Sequence, residues 1–145
     1  MAMRTVALLL ITAIAIGCGG APAPSWGPLA VAVMDGAMQA RNEGTLEITD
    51  QCAFLERDGE RELLVWPASQ TTWSPATAEI VFRRADGEML TLRDGDDVVL
   101  GGGGSSVAED GLAGQVWAGQ FDWVAAPAPE CLIDIRFVVS DVEPT

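Results

Sequence analysis

From Gly44 onward apolar and polar residues alternate with a period of two, the pattern of strands that bury one face. Leu46 and Ile48 alternate with Thr45, Glu47 and Thr49, and Asp50-Gln51 turns the chain into Cys52-Ala53-Phe54-Leu55. Asp58-Gly59 offers the positive φ of a tight hairpin before Glu62 to Trp66, and Pro67, which has no ladder donor, ends that strand. Ala68 to Thr77 is polar and turn-rich and reads as a loop. Ile80 and Phe82 share a face, Asp86-Gly87 turns the chain, Leu90 and Leu92 share a face on the return, and Asp94-Gly95 turns again into Val98-Val99-Leu100. Gly101 to Ser106 breaks the alternation, and Val107 to Pro129 reads as one long loop of small residues holding Trp117, Phe121 and Trp123. The last strand carries Ile133, Ile135, Phe137 and Val139 on one face and Asp134, Arg136 and Ser140 on the other. Six or seven short antiparallel strands with little helix predict an all-β fold, an OB-like β-barrel first and a β-sandwich second.

The pattern before Gly44 is different. Val6 to Ile16 is an apolar run behind a positive start at the amino terminus and Arg4, too short for the roughly 20 residues of a membrane span. It has the length of a secretory signal. The run closes on Ala15-Ile16-Gly17-Cys18, which resembles the cleavage box of bacterial lipoproteins. That resemblance implies a signal peptide over residues 1–17 and a mature chain that starts at Cys18 carrying a diacylglycerol thioether and an acyl chain such as palmitate. Two or more chains give stable membrane anchoring where one is marginal. The competing reading is an ordinary cleaved signal in which Cys18 is incidental. Residues 18–43 would then hold the lipidated cysteine and a flexible tether, led by the Gly/Pro/Ala tract Gly19 to Pro28. Within the tether, Leu29 to Ala40 is expected as a short helix or as a lead into the first strand.

Residues 44–145 are long enough for one domain with a modest core. With Cys18 assigned to lipid, Cys52 and Cys131 remain, and an even pair in an exported chain is expected as a disulfide tying the start of the domain to its end. Zinc is the other use for thiols, but the chain has no histidine to complete the usual ligand sets. The formal net charge of −13 argues against nucleic acid, whose phosphates are bound by clustered cations, and against anionic head groups. The expected membrane contact is therefore the acyl chains on Cys18.

Chemistry-bearing patterns are few. Gly101 to Gly104 lacks the Lys-Ser/Thr of a phosphate loop. Asp94, Asp96 and Asp97 suggest calcium but lack the spacing and distal glutamate of an EF-type loop, and Asp-Gly already explains itself as a turn, so no metal or cofactor is expected. A Ser/His/Asp or Cys/His arrangement requires histidine. Trp73, Trp117 and Trp123 fall in or near predicted loops, where indole faces can form a platform for sugar rings or a protein partner, although core packing is the commoner use. The order Gly44-Thr45-Leu46, Cys52, Val65-Trp66-Pro67, Gly95-Asp96, Val99-Leu100-Gly101-Gly102, Cys131 and Phe137-Val138-Val139 resembles small, functionally unassigned bacterial envelope proteins with a compact β domain. The expectation is a non-enzymatic, lipid-anchored binding or structural module facing the periplasm or cell exterior, with a glycan or protein partner. The alternative is a carboxylate-dependent hydrolase acting on envelope glycans.

Overall fold

A computed structural model describes residues 25–144; the expected signal segment 1–17, Cys18 and the first part of the tether lie outside the described residues. The elements in chain order are β1 (Ala30–Val33), β2 (Ala40–Ile48), β3 (Ala53–Arg57), β4 (Glu60–Pro67), β5 (Thr71–Ser74), β6 (Glu79–Arg83), β7 (Met89–Leu92), β8 (Asp97–Ser106), α1 (Val107–Asp110), α2 (Gly114–Ala118), β9 (Asp122–Ala125), a 3-10 turn over Pro129–Cys131, and β10 (Ile135–Glu143).

Five of these strands close a barrel. β2, β3 and β4 form an antiparallel meander, β2 also pairs antiparallel with β8, β8 with β10, and β10 runs parallel to β4 to shut the ring. That order, with its single parallel closure, is OB-like, and closure sets aside the β-sandwich. Alternation works as the sequence suggests: Leu46, Leu55, Leu64, Trp66, Leu100, Phe137 and Val139 point inward and are buried together. A separate sheet of β5, β6 and β7 is inserted between β4 and β8, and its Ile80, Phe82 and Leu92 join the interior cluster, with Phe82 6.2 Å from Trp66 edge-on.

Several local expectations are corrected. Residues 29–33 are neither tether nor helix, and of the two readings of this stretch the strand one is the nearer: β1 lies parallel to the second half of β4, taking over at Val65 where the β10 pairing ends, and Val31 and Ala32 are fully buried. β2 begins at Ala40, so the folded part starts well before Gly44. The expected loop 68–77 contains β5. The Asp58-Gly59 hairpin forms as read, with both residues at positive φ, and Asp86-Gly87 joins β6 to β7. Asp94-Gly95 instead carries the chain from one sheet to the other.

Gly101 to Ser106 does not break β8. The strand runs through it, pairing with β2 on one side and β10 on the other. A Cβ on Gly102 would overlap the carbonyl oxygen of Val138 and stand 2.7 Å from the Phe137 ring, and one on Gly103 would overlap the Met38 sulfur. At Gly102 glycine is required by close approach of the β10 backbone, not by a turn, whereas at Gly103 the Met38 side chain would have to move.

Candidate functional site: the covered sheet face and the barrel mouth

The apolar run of β4 is buried on alternate sides: Leu64 and Trp66 enter the barrel, while Leu63 and Val65 face outward. Such a continuous run demands cover on both faces. The outer cover is the segment between β8 and β10, expected as a long loop and found as α1, α2, β9 and the 3-10 turn. Phe54, Leu63 and Val65 pack beneath Trp117, Ala118, Leu112, Phe121 and Trp123 of this strap. β9 adds to β1 as an edge strand.

Three fastenings hold the strap. Cys131 is disulfide-bonded to Cys52, with Cα atoms 5.6 Å apart, as the cysteine count predicted. Arg136, placed by alternation on a polar outer face, is 1% exposed because the strap covers it. Its guanidinium donates to both Asp110 carboxylate oxygens (2.8 and 3.1 Å) and to the Leu112 carbonyl (2.7 Å), and it lies 4.7 Å over the Trp117 ring. The Asp110 carboxyl is held below its ordinary range, first by the Leu112 N–H and then by Arg136, against some opposing desolvation. The third fastening is aromatic: Trp117 sits 4.8 Å from Phe121 and 6.3 Å from Trp123, and Trp123 Nε1 donates to the Ala118 carbonyl at 2.7 Å.

The three tryptophans singled out in the sequence therefore separate. Trp117 and Trp123 come together with Phe121, but Trp117 is only 4% exposed, so its faces are packing surfaces. Trp73 belongs to the other cluster and lies against Gly27, where a side chain would overlap its indole. Asp94, Asp96 and Asp97 each serve a different partner: the Ile48 N–H, the Arg93 N–H and the Thr45 hydroxyl. Among the described residues no three acids converge in a metal-sized group.

The barrel has a different character at the end where β2 and β10 begin and β3 and β8 finish. Counting inward positions along each strand reaches Asn42 beyond Leu46 and Gly44, Arg57 beyond Leu55, and Glu62 before Leu64. These three close a ring of hydrogen bonds. Asn42 Nδ2 donates to Glu62 Oε2 at 2.6 Å, Arg57 Nη1 to Asn42 Oδ1 at 2.8 Å, and Arg57 Nη2 to Glu62 Oε1 at 3.2 Å. Asn42 and Glu62 are buried, whereas half of the Arg57 side chain meets solvent. Together with Gly104, Ser105 and Phe137 they line an open groove of about 480 Å³. Sequence reasoning missed this group, although polar residues on the inward register of three neighbouring strands were the available signal. Comparisons with protein-family models, curated proteins and solved structures gave no match.

Proposed function

We propose that the chain is a lipid-anchored module of the bacterial cell envelope, exported through its N-terminal signal, tethered by acyl groups on Cys18, and working outside the cytoplasm by binding. The observation that carries this reading is the Cys52–Cys131 bond, which clamps the strap to the barrel. Such bonds form and persist in exported proteins and are rare where glutathione and thioredoxin keep thiols reduced. The compartment implied by the disulfide is the compartment implied by the lipoprotein-like Ala15-Ile16-Gly17-Cys18, two independent parts of the sequence.

Binding is favoured over catalysis by the barrel mouth. Its carboxylate, Glu62, accepts a hydrogen bond on each oxygen from neighbouring side chains, an arrangement suited to holding a fixed polar surface. The hydrolase reading would place turnover on Glu62 or on Glu109 in the same groove, and Glu62→Gln and Glu109→Gln test it by abolishing or sparing glycan cleavage.

Intact mass of the membrane-fraction protein tests the anchor. The expected species starts at Cys18, carries acyl chains, and reveals two alkylatable thiols only after reduction. Cys18→Ala should move it to the soluble fraction. An unprocessed chain with three free thiols would refute the reading.

A further inference from the structure

We infer that the polar mouth of the barrel is a binding site for a neutral, polyhydroxylated ligand of the carbohydrate class. This deepens the binding reading above and rests on it. The inward register at this end places Asn42, Arg57 and Glu62 where the rest of the barrel places leucine, and burying amide and carboxylate groups costs free energy that an apolar plug would not. The opposite end shows what a purely structural closure looks like, with Ile80, Phe82 and Leu92 of the inserted sheet packed against Trp66.

The hydrogen-bonding capacity left over defines the ligand. Arg57 uses two of its five N–H groups on Asn42 and Glu62, Asn42 keeps one amide hydrogen, and each Glu62 oxygen keeps acceptor capacity. Unused donors and acceptors thus stand side by side, which suits a hydroxyl that does both. An anion would meet the Glu62 and Glu109 carboxylates, and a cation would meet Arg57 and the exposed Arg41, with Arg136 behind them already paired to Asp110, so a charged ligand faces a like charge in either case. Space comes from β8: Gly104 lies on the groove wall with no side chain, above the edge of the Phe137 ring. The outer face of β3 and β4 is closed beneath the strap, and among the polar concavities of the described residues the mouth is the one lined by the buried Asn42 and Glu62.

The test is calorimetric titration of the full chain, extracted in a detergent with no sugar head group, with maltotriose and with triacetylchitotriose. One of the two is expected to bind, with at least tenfold weaker binding in Asn42→Ala and Arg57→Ala. Since those changes remove a buried network and can unfold the barrel, Gly104→Leu provides a second reading: no atom lies closer than 3.6 Å to a Cβ there, so it adds bulk to the groove wall while leaving Asn42, Arg57 and Glu62 in place as residues. It should block binding at an unchanged melting temperature. No heat with either sugar, or affinity within twofold of wild type in Gly104→Leu, overturns the proposal. Either result leaves the anchor to its own mass measurement, so failure of the sugar site and failure of the envelope reading are separately visible.

Discussion

Replacing Trp117 by alanine distinguishes a packing role from a recognition role more sharply than any other single change. A platform tryptophan can be removed with loss of ligand capture and little else; a core tryptophan cannot. Trp117 is 4% exposed, touches Phe121 at 4.8 Å and Trp123 at 6.3 Å, and supports the buried Arg136 guanidinium at 4.7 Å. Truncating a large buried aromatic residue costs about 3–5 kcal/mol. Losing the aromatic pairs and a desolvated cation–π contact puts the expected value near the top of that range, about 4–5 kcal/mol. A domain of this size has roughly 5–15 kcal/mol in total, so the variant should remain folded but fragile. At about 4 °C per kcal/mol its melting temperature should fall by about 15 °C or more. Thermal denaturation followed by circular dichroism, with the disulfide kept oxidised, makes the measurement, and Trp117→Phe, which keeps a ring, should recover most of the loss. A fall of less than about 3 °C would refute the packing argument and return Trp117 to the recognition surface.

Other perturbations probe separate parts of the fold. Replacing both Cys52 and Cys131 by alanine opens a loop spanning 79 residues in sequence and should cost about 4.5 kcal/mol in the chain-entropy account, read as a lower urea midpoint. Gly102→Ala should destabilise by about 2 kcal/mol or more through collision with the Val138 carbonyl, whereas Gly104→Ala should be neutral or slightly stabilising; equal effects of the two would show that close approach is not what β8 needs. Asp110 supplies a pH signature. Its folded pKa is lowered, so its contribution is complete above the ordinary carboxylate pKa and is lost as pH falls through the folded value. Melting temperature should therefore drop less steeply below about pH 4 in Asp110→Asn than in wild type; parallel curves would remove Asp110 from the acid response.

What the sequence made legible is what local periodicity and turn chemistry encode. The inward leucines of β2, β3 and β8 and the paired apolar positions of β6 all fall where alternation puts them, and Asp58-Gly59 forms its hairpin because both residues accept positive φ. The disulfide was legible by counting cysteines. The losses are non-local. β1 is held by a parallel pairing with β4, more than thirty residues away, and Ala30–Val33 by itself reads equally as a short helix or as a lead into a strand. β8 continues through four glycines because β2 and β10 pair with it on either side, and at Gly102 the backbone of β10 leaves no room for a side chain. Arg136 alternates correctly with its neighbours yet is buried, because a face that alternation marks as outer is covered by a segment arriving from elsewhere in the chain. The cover did have a local trace in Leu63-Leu64-Val65-Trp66, a run too uniformly apolar for a strand with one wet face.

That cover also bears on where recognition can occur. A barrel of this strand order has an outer surface on its central meander that an uncovered version would present to solvent, and here Phe54, Leu63 and Val65 occupy it under the strap. The fastenings differ in chemistry: a covalent bond at Cys131, a buried guanidinium with an acidic partner at Arg136, and an aromatic trio between them. Their joint effect is to commit the outer face to stability. The strap also bears on the mouth, because Ser105 and Ser106, which line it, lie immediately before α1 and are paired with Arg136 and Ile135 of β10. Loosening Arg136 should therefore disturb the groove as well as the covered face, coupling the stability of one to the shape of the other. Arg136→Met, which fills the same space without a charge, separates the two effects: preserved packing with preserved groove geometry would mean that the strap acts through volume, and preserved packing with an altered groove would mean that it acts through the Asp110 and Leu112 hydrogen bonds.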